Sequence, residues 1–168
     1  MNLNLEHRIS VLINPNAGGG NKQLAIHAEE ICAPYPAQVH TTNTLIGMRQ
    51  KVQRDLENGV ELYVICGGDG TLAAAANQIA TYCATKGLRV PKIAYIPAGT
   101  GNLLKTLIDI EEIEDPLNLL LERFGKEGIP TRAFPLVKTG FVDAQTSEPK
   151  SLFYTMVGCG MDAALLQD

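Results

Sequence analysis

Residues 60–72 run Val60-Glu-Leu-Tyr-Val-Ile-Cys66 and then, without a break, Gly67-Gly-Asp-Gly-Thr-Leu72. The first seven are β-branched, aromatic or apolar with one charge among them, the composition of a buried strand. The glycines stop that strand abruptly. Beyond them Leu72, Ala75, Ala76, Ile79, Ala80 and Cys83 fall on one stripe at helical spacing. A strand, a tight glycine turn and a helix folded back on the strand make half of a βαβ unit.

The same design recurs on both sides. Upstream, Arg8 to Asn14 (RISVLIN) reads as a strand ending in Pro15-Asn-Ala-Gly-Gly-Gly20. A helix over 21–33 follows, stopped by Pro34 and Pro36, then a strand over 38–42 and an amphipathic helix over 45–56 closed by Asn58-Gly59. Downstream, Lys92 to Ile96 enters Pro97-Ala-Gly-Thr-Gly-Asn102, followed by an apolar stripe from Leu103 to Ile108 and a short helix over 115–124. Strands alternating with helices predict an α/β domain over 1–130, a mostly parallel sheet flanked by helices. Beyond Gly128 the pattern changes to two β segments, 132–142 and 152–157, joined through Gln145 to Lys150. Residues 131–168 are therefore expected to begin a second, β-rich domain of which only the first strands are present. Unpaired hairpin edges there predict self-association, with a homodimer as the simplest form.

Composition narrows the function. The 168 residues carry a net charge of −4, and the 14 lysines and arginines form no run, which disfavours nucleic acid as a ligand. The four cysteines and three histidines show neither CxxC nor HExxH spacing, so neither a zinc site nor a disulfide framework is expected. Cys66 and Cys83 sit among apolar neighbours and read as small buried hydrophobes. No apolar stretch is long enough to span a bilayer, and the first eight residues lack the pattern of a signal peptide, so a cytoplasmic location is expected.

Three glycine-bearing loops, 14–20, 67–71 and 99–102, follow three strands, and in a parallel sheet such loops gather where the strands end. Glycine lets backbone amides approach a phosphate, and a helix beginning behind the loop adds partial positive charge. Thr71 and Thr100 are placed to offer hydroxyls to phosphate oxygens. The loops are not a Walker A motif, because Lys22 has neither the required spacing nor a Ser or Thr after it. Nor do they make a dinucleotide fingerprint, because no acidic residue occurs between Asp69 and Asp109 to hold a ribose. Asp69, alone among glycines at a strand tip, is placed to polarise a hydroxyl or steady the water shell around magnesium. The alternative role is that of a turn former or the N-cap of a helix beginning near Thr71.

Asn14-Pro-Asn-Ala-Gly18, Gly67-Gly-Asp-Gly-Thr-Leu72 with Asn77 behind it, and Pro97-Ala-Gly-Thr-Gly-Asn102 together resemble, in order, three blocks of the diacylglycerol kinase-like lipid kinases. Gly160-Met-Asp-Ala163 resembles that family's entry to its second domain. The resemblance implies a diacylglycerol kinase or NAD kinase-like N-terminal fold, ATP with magnesium, and transfer of the γ-phosphate to a lipid hydroxyl. Carried over by position, Asn14, Pro15, Asn16, Ala17, Gly18, Thr42, Gly67, Gly68, Asp69, Gly70, Thr71, Leu72, Ala73, Thr100 and Asn102 would contact the nucleotide, with Asp69 catalytic. The base and magnesium ligands would lie in the second domain. A lipid acceptor implies peripheral contact with the inner face of a membrane, although no basic amphipathic helix is visible for it. Ala73-Ala74 stands where the family often has Asn-Glu, and Leu103 where many members have Asp, substitutions that fit either a distinct subfamily or reduced activity. The alternatives are an NAD kinase-like phosphotransferase and a catalytically silent nucleotide-binding domain.

Overall fold

The computed structural model describes residues 8–18, 21–99, 115–126, 133, 137–142 and 149–154. The chain forms two compact units, residues 1–131 and 132–168. In the first, four strands, β1 (Ile9–Ile13), β2 (Ala37–Thr41), β3 (Leu62–Gly67) and β4 (Lys92–Pro97), form a parallel sheet in the order β2-β1-β3-β4. The two central strands are the two that are buried at every position, as coverage on both faces requires. The helices are α1 (Asn21–Cys32), α2 (Leu45–Glu57), α3 (Asp69–Lys86) and α4 (Pro116–Lys126).

From β1 the chain moves one way to β2, then returns past β1 to β3 and continues outward to β4. Right-handed crossovers then place α1 on one face of the sheet and α2 and α3 on the other. The cores agree with this. Ile9, Val11, Ile13, Leu62, Val64 and Cys66 pack with Ala28 and Cys32 of α1 and Leu117 and Leu121 of α4. Leu12, Tyr63 and Ile65, the alternate positions, pack with Met48, Val52 and Leu56 of α2 and Leu72, Ala75 and Ile79 of α3.

The α/β reading holds, with shifts at element ends. The helix expected near Thr71 begins at Asp69, because Gly68, extended at φ −86° and ψ 178°, is its N-cap and Asp69 lies inside the first turn. The helix expected from Asp115 begins at Pro116, whose fixed φ and missing amide suit a first helical position. Thr42 lies just beyond β2. In the second unit β5 (Val137–Val142) pairs antiparallel with β6 (Pro149–Tyr154), Val142 facing Pro149. The hairpin is as expected, but its second strand begins three residues earlier, with Pro149 and Lys150 in the ladder. The stripe after Asn102 and the block Gly160–Ala163 lie outside the described residues.

One polar cluster lies inside the α2 face. Asp55 of α2, fully buried, accepts from Ser10 Oγ of β1 at 2.7 Å and from His40 Nε2 of β2 at 3.0 Å. Serine and histidine both touch the carboxylate, so the three are a mooring and not an activated nucleophile, which needs a serine bonded to the imidazole. Tyr63 Oη, donating to the Val52 carbonyl at 3.2 Å, ties β3 to the same helix.

Asp55→Ala strands two buried polar groups and is expected to cost about 3 kcal/mol of stability, against about 1 kcal/mol for Ser10→Ala. Urea denaturation of the two variants measures both. Burial pushes the thiols of Cys66 up to about 12 and Cys32 up to about 11, with the charge of Cys32 adding at Cys66. Unfolded thiols titrate near 8.5, so above about pH 8 the unfolded chain sheds protons that the folded chain keeps. Stability is whole below that pH and falls as pH rises toward 11 to 12. Thermal midpoints at pH 7 and pH 10 test this, and Cys32, Cys66 and Cys83 should resist alkylation at pH 8 until the chain unfolds.

Candidate functional site

The direction of winding reverses between β1 and β3, so the loops leaving their carboxyl ends diverge and open a crevice. After β1 the Asn14 amide continues the ladder, donating to the Cys66 carbonyl at 3.0 Å. The Asn14 side chain then organises the turn, its Oδ1 accepting from the Asn16 amide at 3.0 Å. Gly18 ends the described part of this loop at φ +59°, where a Cβ would sit 2.1 Å from the Ala98 carbonyl oxygen. The loops after β3 and β4 meet in the same way. The Ala98 amide donates to the Gly67 carbonyl at 2.8 Å, and a Cβ on Gly68 would lie 3.3 Å from Gly99 Cα. Three loops thus touch backbone to backbone, and glycine is what allows it.

Between them lies a pocket of about 460 Å³, walled by Asn14, Ala17, Gly18, Thr42, Asn43, Thr44, Leu45, Met48, Gly68, Gly70, Thr71, Ala74 and Gly99. Two helices begin on it. The 18-residue α3 has no side-chain cap, and α2 is capped by Thr44 Oγ1 accepting from the Gly47 amide at 3.1 Å. Each start carries roughly half a positive charge, and the two add in the pocket. Hydroxyls supplement them. Asn14 Nδ2 donates to Thr71 Oγ1 at 2.9 Å, so the Thr71 hydroxyl has its own proton left to give. Thr42, only 3% exposed, has a buried Oγ1 with no hydrogen-bond partner. A buried hydroxyl without a partner costs stability unless a ligand satisfies it. Amides, hydroxyls and helix starts, with no carboxylate among the described residues of the wall, form a receptor for an anion such as a phosphate chain.

Asp69 does not line this pocket, although Gly68, Gly70 and Thr71 on either side do. Its carboxylate turns toward β4, where Tyr95 Oη donates to Oδ1 at 3.1 Å. Burial first, then the nearby Asp69 charge and the bond to it, push the Tyr95 phenol above its ordinary range, so it remains a neutral donor. Among the other sequence candidates, Asn14, Ala17, Gly18, Thr42, Gly68, Gly70 and Thr71 meet in the pocket. Leu72 packs in the core beneath it, leaving only its backbone to face a ligand, and Gly67 sits under Thr71, 2.7 Å from it to a built Cβ. Pro15, Asn16 and Ala73 are outside the lining, and Thr100 and Asn102 lie outside the described residues. Asn43, Thr44, Leu45 and Met48 were not singled out as site residues in the sequence. The Thr44 cap ahead of an apolar helix was the signal that could have placed them at a helix start. Among the described residues no group of three or more His, Cys, Asp or Glu is arranged to hold a metal ion. The pocket's donors do not fit a bare magnesium ion, which takes oxygen acceptors and carboxylates.

The family model described as the diacylglycerol kinase catalytic domain matches residues 8–128, more than half of the chain. The chain is also similar to a solved diacylglycerol kinase structure from Bacillus anthracis str. Sterne, with a TM-score of 0.54 and 23% identity over 70% of this chain and 40% of that one. A second structure from the same organism, provisionally assigned as a diacylglycerol kinase, matches at a TM-score of 0.49 and 24% identity over 62% of this chain and 38% of that one. The chain therefore spans about two fifths of the length of these structures. A search of the curated proteins found no match.

Gly18→Ala combines a left-handed backbone with a collision against a carbonyl, and is expected to cost about 1–3 kcal/mol and to distort the pocket wall. Gly59→Ala, at φ +82° with nothing within 4 Å, carries the strain alone, about 1 kcal/mol. Thermal unfolding of the pair separates collision from strain.

Proposed function

The chain belongs to the diacylglycerol kinase catalytic domain family, and from this we propose that its α/β unit is the nucleotide-binding half of an ATP-dependent lipid kinase. The observation that carries the reading is the pocket itself. Its wall offers two helix starts, the Thr71 hydroxyl and the unpartnered Thr42 hydroxyl, and no negative charge among the described residues. The polyphosphate of ATP satisfies all of these at once. Magnesium enters on this reading with the nucleotide, carried by its phosphates, and supplies charge neutralisation there.

In the proposed reaction the oxygen of a lipid hydroxyl attacks the γ-phosphorus, the bond from phosphorus to the β,γ-bridging oxygen breaks, and ADP leaves with that electron pair. Asp69 is our candidate for the carboxylate that polarises the acceptor hydroxyl, and the proton passes to the base that the resemblance places in the second domain. Asn14 and Thr71 hold the phosphates in line while the glycine loops let the backbone close on them. We read residues 131–168 as the start of a second, β-rich domain. A lipid acceptor implies work at a membrane surface, on the cytoplasmic side. No helix among the described residues is long and apolar enough to cross a membrane. A second reading, nucleotide binding without turnover, is favoured by one observation, the turning of Asp69 away from the pocket toward Tyr95.

Saturating Mg·ATP is expected to stabilise the chain by about 2.7 kcal/mol at a hundred times its dissociation constant, raising the unfolding midpoint by roughly 5–11 °C. NAD should produce no shift. Asp69→Asn is expected to keep the ATP shift and to remove phosphate transfer in a protein that also carries the second domain. Transfer undiminished in that variant would exclude Asp69 from the chemistry, and no transfer even with Asp69 intact would favour the silent reading. Absence of any ATP shift would overturn the nucleotide site.

A further inference from the structure

Asp69 lies in the first turn of α3, the turn whose amides face the pocket. A carboxylate there is normally drawn to the positive helix start, and it would then occupy the place a phosphate needs. In this chain it is turned the other way. Tyr95 of β4 donates its phenolic proton to Asp69 Oδ1 at 3.1 Å, and the pocket wall includes Gly68, Gly70 and Thr71 but not the residue between them. Tyr95 is itself half-buried against the α2 and α3 core, so its hydroxyl is fixed in position, and its raised pKa keeps it a donor at any physiological pH.

We infer that Tyr95 is a positioning residue that holds the Asp69 carboxylate on the β4 side of α3 and so keeps the anion-binding start of that helix open to the nucleotide phosphates. The inference rests on the nucleotide reading above. In the free protein the phenol takes the place of the helix amides as partner of the carboxylate. When a polyphosphate binds, the α3 start meets one set of negative charges and not two. The same bond keeps the carboxylate at a set place beside the phosphates, where the acceptor hydroxyl must approach.

Isothermal titration of the full chain with Mg·ATP and, separately, with inorganic tripolyphosphate tests this in four proteins: wild type, Tyr95→Phe, Asp69→Asn and the double variant. Tyr95→Phe removes one oxygen and with it the bond that draws the carboxylate toward β4. It should weaken both ligands about fivefold, the scale of one charge at a helix start. Adding Asp69→Asn removes the competing charge and should restore affinity to the wild-type range. A tyrosine that merely supports the fold would not be rescued in this way. Wild-type affinity in Tyr95→Phe, or weakened affinity that Asp69→Asn does not restore, would overturn the inference while leaving the nucleotide site intact. Failure of the wild type to bind either ligand would instead overturn the nucleotide reading itself.

Discussion

β1 is hydrogen-bonded along its whole length on both sides, to β2 through Ile9↔Ala37 to Ile13↔Thr41 and to β3 through Ile9↔Leu62 to Ile13↔Cys66. The rest of the unit depends on that double pairing. The chain leaves β1 toward one edge and returns past it to β3, and the right-handed crossover rule then assigns a face to every helix. It also parts the loops after β1 and β3, and the crevice between them is the pocket. A sheet wound in one direction only would carry the same loops with no opening between their bases.

The pocket is held together by absences as much as by contacts. Gly18 against Ala98 brings peptide units to a distance that any side chain would forbid, and Gly68 against Gly99 to one that a side chain would crowd. At these glycine loops a ligand therefore meets backbone in place of bulky side chains. Such a surface is rigid where it rests on the strand ends, and its dipoles are aligned before a ligand arrives. That preorganisation is what makes helix starts effective anion receptors.

Two aspartates of neighbouring helices show how surroundings divide one residue type between two roles. Asp55 is sealed between α2 and the sheet, with Ser10 and His40 as its partners, and serves to moor the helix whose start walls the pocket. Asp69 is half-buried at a helix start, with Tyr95 as a partner, and stands beside that pocket. A buried carboxylate is tolerated only when donors meet it, and in each case a neighbouring strand supplies a hydrogen-bond donor.

Much of this was legible in the chain. Runs such as Ile9–Ile13, apolar but for Ser10, and Leu62–Cys66 mark central parallel strands, because strands covered on both faces are apolar at nearly every position. Glycines directly after those runs mark the loops, and the spacing of Leu72, Ala75, Ile79 and Cys83 marks the buried side of α3, because these are properties of neighbours in sequence. Element ends were less legible, since the choice of Gly68 over Asp69 as N-cap depends on a backbone angle and not on residue preference. Which groups share the pocket was settled only by the tertiary structure. Strand order brings Thr42 and Thr44, from the far side of β2, beside Thr71, and it sends Asp69 toward a tyrosine 26 residues away. Pairings across that separation are decided by which strand lies beside which, and residues near in sequence carry no record of it.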